Sequence, residues 1–419
     1  MEINEKFLLR DRNVSNAVDT INLARHRWYY YKEGFSPALV ENAIDTLELT
    51  ASDIIIDPFN GSGTVTLTAA MRGIASYGFE VNPFTSFIAN TKVKCASTSI
   101  FDSACCDMLN GAKRQKKSPL LSFSTFSENS NKSKWLFNAD VLNSFEGAIS
   151  KLNKINNRDI SDILKLSLIG ATMDNSNARR DGKCLRYKNN WEDLHFNKNS
   201  FITSLEKRLQ VVREDLLNEV KLTTPRIICG DSRIAIDQNL TKKFSLCITS
   251  PPYLNTFDYT DIYRPELFLG QFAKSMKDLY DLRLHTIRSH IQAKWHKPIQ
   301  KNFGTLYDVA IKEIIKRQDS LMHKHIPMMI QAYFEDMQKI LISLRRKAKN
   351  HAELWLVVST SAYAGIEIPV DMIIGEIGNK SGWYLKDIGV LRYLRKRKSK
   401  YSNEINQLRE SVVIFGASK

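Results

Sequence analysis

The stretch Asp53-Ile54-Ile55-Ile56-Asp57-Pro58-Phe59-Asn60-Gly61-Ser62-Gly63-Thr64 limits the possible folds of this chain more than any other. Its three consecutive isoleucines have the unbroken apolar character of a strand covered on both faces, as in a parallel sheet. A glycine-rich turn follows, then a helix expected over Val65 to Arg72, with Gly73 suited to the position just past its end. A buried strand that feeds a helix through a tight turn is the first half of an α/β unit. Gly61 and Gly63 allow the backbone to approach a ligand where a side chain would collide. The turn lacks the Gly-Lys-Ser/Thr of triphosphate sites, and Thr66 stands where a dinucleotide fingerprint needs a third glycine. Asp57, at the strand end, suits a cationic or hydroxyl-bearing ligand better than a pyrophosphate. A second strand, Ala75 to Phe79, runs into Glu80-Val81-Asn82-Pro83. An acid at the tip of that strand is where an α/β fold binds ribose hydroxyls.

A second apolar run, Phe244 to Ile248, ends in Thr249-Ser250-Pro251-Pro252-Tyr253. Two adjacent prolines fix two φ angles and remove two N–H donors, which makes a rigid corner. Ser250 supplies a hydroxyl, the Ser250 and Pro251 carbonyls are acceptors without an obvious ladder partner, and Tyr253 supplies a flat face. Such a cup can hold a planar amino group and stack the heterocycle that carries it.

Taken together, the Asp57 to Thr64 turn, Glu80 and the Ser250-Pro251-Pro252-Tyr253 corner resemble the amino-methyltransferases of DNA. These use S-adenosylmethionine to methylate N4 of cytosine or N6 of adenine. The resemblance covers roughly residues 25–95 and 223–419. It implies a cofactor site made by Phe35, Ser36, Asp57, Pro58, Phe59, Gly61, Gly63, Thr64, Glu80, Val81, Asn82, Asp231 and Ser232. Asp231 would follow a third strand at Arg226 to Cys229 and receive the adenine amino group of the cofactor. Ser250, Pro251, Pro252 and Tyr253 would be catalytic, with Tyr253 stacked on a base flipped out of the duplex. Serine at the first position of the corner resembles the N4-cytosine branch. N6-adenine, where Asp or Asn is commoner, is the alternative, and an RNA guanine-N2 methyltransferase is a more distant one. Restriction–modification is the commonest setting of the family, so a cognate restriction endonuclease is an expected partner.

The expected fold class is α/β, a doubly wound, mostly parallel sheet of the Rossmann-like methyltransferase type. An antiparallel hairpin (Leu385 to Leu394 with Ser411 to Phe415) would close it. The catalytic domain would be split, 25–94 and 223–419. Between its halves lies a helical insertion, 95–222, a candidate for target recognition. Helices are expected there near 138–155, 158–173 and 200–220, and 113–131 is expected to be an exposed loop. A second, basic insertion at 273–326 is a candidate for DNA contact.

The formal charge of +15 favours a polyanionic partner, with double-stranded DNA first. Arg179, Arg180, Lys183 and Arg186 are candidate DNA contacts in one basic loop, and Arg395 and Arg397 lie between the last two strands. The aromatic and basic arm Arg25 to Lys32 either meets DNA or packs its rings on the core. The six cysteines form no Cys-x-x-Cys pair, and the histidines at 290, 296, 323 and 325 have no acid or thiol spacing of a familiar site, so no metal is expected. No apolar run reaches the length of a membrane span, and Met1 to Arg12 is polar, so a cytoplasmic location is expected.

Overall fold

The computed structural model describes residues 2–418 apart from 6, 8–13, 131, 182–183, 219–220 and 396–406. Strands arise where the sequence places its apolar runs. They are β1 (Ile54–Asp57), β2 (Ala75–Glu80), the small pair β3 (Ala178–Asp181) and β4 (Cys184–Tyr187), then β5 (Arg226–Cys229), β6 (Phe244–Thr249) and β7 (Ala348–Ser359). A second small pair, β8 (Ser361–Tyr363) and β9 (Ile366–Ile368), precedes the closing hairpin of β10 (Tyr384–Arg395) and β11 (Gln407–Gly416). Seven of them form one sheet in the order β10-β11-β7-β6-β1-β2-β5. β7, β6, β1, β2 and β5 run parallel, whereas β11 and β10 are antiparallel. Every residue of β1 and β6 is buried, which explains their unbroken apolar character.

Helices cover both faces. α1 (Pro37–Thr46) begins as its sequence requires: the Ser36 hydroxyl accepts from the Ala38 N–H, and Pro37 takes the first turn. With α2 (Thr64–Met71) it buries Leu39, Val40, Ile44 and Val65 against Ile55, Leu246 and Trp355. α3 (Pro83–Lys92) follows β2, and α4 (Thr98–Arg114), α5 (Ala139–Leu152), α6 (Arg158–Asp174) and α7 (Lys198–Leu217) build a helical body between β2 and β5. α8 (Ser232–Asn239) returns to the sheet, and α9 (Tyr259–Ile262), α10 (Arg264–Leu269), α11 (Met276–His285) and α12 (Thr305–Lys316) follow the proline corner. α13 (Ile326–Lys347) and α14 (Val370–Lys380) cover the other face with Tyr333, Phe334, Ile373 and Ile377. This is the expected doubly wound α/β sheet with an antiparallel closing hairpin.

Two local expectations fail. No helix is expected where α4 forms, although Phe101, Ala104, Cys105, Met108 and Ala112 make a buried stripe at helical spacing. The segment 113–131 is not simply exposed. Leu121 and Phe126 are buried, and Phe126 meets Phe268 of α10 edge-on at 5.9 Å. Its rings outweigh its polar composition, because burying them against a ready apolar surface offsets the ordering of a short loop. One apolar cluster runs from α4–α7 into α3 and α10, so this helical body shares its core with helices that follow β2 and β6.

Candidate active site

β1 is the point where the strand order turns, with β2 on one side and β6 on the other. In open α/β sheets the crevice beyond the strand C-termini at such a point is where ligands bind. Both signature turns leave the sheet there. They are tied together: the Thr249 hydroxyl at the end of β6 donates to Asp57 Oδ1 at the end of β1, at 2.5 Å. The same oxygen accepts from the Phe59 N–H at 3.0 Å. Burial pushes the Asp57 carboxyl up to about 7, these two donors oppose the rise, and the neighbouring charge of Glu80 adds to it.

The glycine turn is held from β2. Glu80 Oε2 accepts from the Gly61 N–H and Oε1 from the Asn82 N–H, each at 2.8 Å. Burial raises the Glu80 pKa, and those N–H groups limit the rise. Gly61 and Gly63 both have left-handed backbones, with φ of 48° and 86°. A Cβ on Gly63 would lie 2.8 Å from that of Ala89 in α3. Gly63 therefore serves close packing of the turn against α3, while Gly61 faces the cavity.

That cavity, about 350 Å³, runs from the turn past the proline corner. It is lined by Phe35, Asp57, Pro58, Phe59, Gly61, Thr64, Glu80, Val81, Asn82, Asp231, Ser232, Ser250, Pro251, Pro252 and Tyr253, so the structure brings these expected site residues together. Ser36 and Gly63 are not among its lining residues. The Ser36 hydroxyl caps α1 and bonds Asp19. Asp231 is less open than expected, because the Arg233 guanidinium grips both its oxygens at 2.6–3.0 Å. Arg233 also reaches Asp336 of α13 at 2.9 Å.

At the corner, the Ser250 hydroxyl donates to the Val357 carbonyl at 3.2 Å. Its proton is thus engaged on the sheet, leaving its lone pairs to act as acceptors. The Tyr253 hydroxyl donates to Glu410 Oε1 at 2.5 Å. Burial, and then the charge of Glu410, push the Tyr253 pKa well up, so the phenol stays a donor.

Several lining residues are not among the expected site residues. Tyr31 stacks on Tyr263 at 5.3 Å, and Glu33 accepts from the Tyr263 hydroxyl. Burial raises the Glu33 pKa. Tyr259, Arg392 and Glu410 also face the cavity, as does the segment of His285, Thr286, Ile287, Ser289 and His290. The sequence signal for Tyr31 is its place in the ring-rich arm Arg25 to Lys32, and Glu33 directly follows that arm. That arm resolves toward packing, since Trp28 and Tyr29 are buried and Arg27 pairs with Asp215 of α7 at 2.7 Å.

The basic candidates divide. Arg180, expected to meet DNA, turns inward: it pairs with the fully buried Glu266 and sits 4.3 Å above the Tyr263 ring. A carboxylate without water needs such a counter-charge. Arg186 is exposed and pairs with Asp181 at 2.7 Å, and Arg179 is exposed. Lys183, Arg397 and the side chain of Arg395 lie outside the described residues. In the basic insertion, Arg283 binds Asp258 at 2.6 Å and Arg288 binds Glu335 and Asp336 at 2.5 and 2.7 Å. Part of the stretch expected to grip phosphate is therefore a wall of the cavity, although Lys274, Lys277, Lys294, Lys297 and Lys301 remain exposed. Among the described residues, no helix is long and apolar enough to cross a membrane.

No protein-family model matches the chain. The Type II methyltransferase M.BsoBI of Geobacillus stearothermophilus is 28% identical over 94% of this chain and 86% of its own length. The Type II methyltransferase M.AvaI of Nostoc is 26% identical over 88% of this chain and 80% of its own. The Type II methyltransferase M.MjaII of Methanocaldococcus jannaschii reaches 37% identity, but over 22% of this chain and 17% of its own. Along nearly its whole length, the chain is thus a relative of proteins named Type II methyltransferases.

Proposed function

We propose that this protein is a site-specific DNA methyltransferase that moves the methyl group of S-adenosylmethionine to N4 of a cytosine flipped out of the duplex. The observation that carries this reading is the meeting of the glycine turn of β1 and the proline corner of β6 in one cavity, with Asp57 and Thr249 hydrogen-bonded between them. The whole-length relation to proteins named Type II methyltransferases supports it, and a cognate restriction endonuclease is the partner such a setting implies.

The residues present fit the cofactor. Asp57 is a buried and Glu80 a half-buried carboxylate, both held above their ordinary pKa values, and an ionised acid in such surroundings is stabilised by a cationic or hydroxyl-bearing ligand. Gly61 and Glu80 would take the ribose side, and Asp57, with Phe35, the charged end. S-adenosylmethionine, when bound, supplies an electrophilic methyl group on a sulfonium. The work of the chain is on the amine. An exocyclic amine conjugated to its ring is a poor nucleophile, so its N–H bonds must be accepted as the nitrogen pyramidalises and its lone pair leaves conjugation with the ring. The Ser250 oxygen and the Pro251 carbonyl are the acceptors, and Tyr253 holds the base plane.

The test is incubation of the purified protein with labelled S-adenosylmethionine and unmethylated genomic DNA, followed by mass identification of labelled nucleosides. N4-methylcytosine is expected. N6-methyladenine would replace the cytosine reading, and label confined to RNA would overturn the DNA reading.

Asp57 gives a pH dependence. Its carboxyl rises from 3.8 to about 7 on folding, so the folded protein holds that proton more tightly. The contribution to stability is complete below about 4 and is lost as pH rises through about 7. A cationic ligand favours the ionised form and expels the proton. Affinity for S-adenosylmethionine should therefore climb between pH 5 and about 7 and then level, more steeply than affinity for the demethylated product, which lacks the sulfonium charge. Calorimetry at several pH values checks this, and Asp57→Asn should flatten the climb.

A further inference from the structure

Glu410 and Arg392 occupy the part of the cavity that the cofactor reading leaves unused. Along the sheet, Asp231 and Glu80 follow β5 and β2 on one side of β1, and the Ser250 corner follows β6 on the other. Beyond β6 come β7, then β11 with Glu410, then β10 with Arg392. Glu410 thus stands two strands past the corner, about 10 Å at ordinary strand spacing, and Glu80 stands two strands before it. Register keeps them at the same sheet edge, because Glu410 pairs with Ser359 at the end of β7 and Arg392 pairs with Glu410.

Glu410 is 2% exposed and bound at both oxygens, Oε1 by the Tyr253 hydroxyl at 2.5 Å and Oε2 by Arg392 Nε at 2.6 Å. This fixes the far end of the Tyr253 ring and aims the guanidinium. Arg392 lines the cavity with a side chain 36% exposed, and no described residue partners its two terminal amino groups. A guanidinium presents its N–H bonds as a rigid fork suited to two neighbouring acceptors.

We infer that Arg392 reads the acceptor edge of the flipped base, donating to N3 and O2 of cytosine, and that Glu410 positions both Arg392 and Tyr253 for it. The inference rests on the cytosine reading and gives it a physical reason. With the amine at Ser250 and Pro251, cytosine next offers N3 and then O2, both acceptors. Adenine offers N1 and then a C–H, which would leave one donor of the fork unpaired.

The test uses the full-length protein and duplexes carrying the target sequence mapped from the wild-type product, with the target base either cytosine or 3-deazacytosine. The deaza base replaces the N3 acceptor with C–H. It also alters the amine intrinsically, but that effect is common to all variants and cancels in the comparison. The fall in kcat/KM on deaza substitution should be roughly 10- to 100-fold larger for wild type than for Arg392→Ala, the range for a hydrogen bond from a charged donor. Arg392→Lys keeps a charge beside Glu410 without the fork and should lose most of the same difference, and it serves if the alanine variant does not fold. Affinity for S-adenosylmethionine should be unchanged in both. N4-methylcytosine as the wild-type product with equal deaza penalties in all three proteins would overturn the role of Arg392 alone, making its pairing with Glu410 a cross-strand contact of the hairpin. N6-methyladenine as the wild-type product would overturn the cytosine reading and this inference with it.

Discussion

Ser250→Ala should slow methyl transfer by about 100- to 1,000-fold while leaving cofactor affinity within about threefold, the size of effect seen when a single preorganised polar group facing developing charge is removed. The reason lies in what holds the hydroxyl. Its proton is directed to the Val357 carbonyl at 3.2 Å, so the oxygen is set as an acceptor before any substrate arrives. As the amine attacks, its N–H bonds become more acidic, and a fixed acceptor gains more in the transition state than in the ground state. Alanine removes the acceptor and leaves the Pro251 carbonyl as the remaining one. Because Val357 lies in β7, loss of this bond removes little from the packing of the corner, whose shape is set by Pro251 and Pro252. Single-turnover rates with calorimetric cofactor binding separate the two quantities. A rate within threefold of wild type would remove Ser250 from the chemistry.

Gly63→Val should destabilise the fold by about 2–4 kcal/mol, since it combines a left-handed backbone with overpacking by a β-branched side chain. Gly63 has φ of 86° and stands at the N-cap of α2, and its Cβ would meet the Ala89 Cβ at 2.8 Å and Cα at 3.0 Å. Ala89 belongs to the buried face of α3, which packs into the helical body, so neither partner can retreat cheaply. Gly61→Ala should cost less. Its Cβ would meet the Tyr31 ring at 3.2 Å, and a side chain can shift where a helix backbone cannot. Urea denaturation of the three proteins measures the ranking, and equal stability of Gly63→Val and wild type would refute the close packing of turn and α3.

What the sequence by itself determined is local. The strand, turn and helix from Ile54 to Met71, the Ser36 cap and the proline corner each depend on residues within a few positions of one another, and each formed as expected. Gly61 and the corner prolines carry their meaning in backbone geometry, which neighbours barely alter. The role of a charge is less legible, because a basic residue in a sequence does not disclose its partner. Arg180 found Glu266 some 86 positions away, and Arg288 found Glu335 and Asp336. Both turned inward because a buried carboxylate is costly without a counter-ion. Tertiary structure alone placed Tyr31 and Glu33 from before α1 and Arg392 and Glu410 from the last two strands around the same cavity. The sheet order made that assembly. It sets the first and last thirds of the chain beside β6, and no spacing along the sequence encodes which strands will be neighbours.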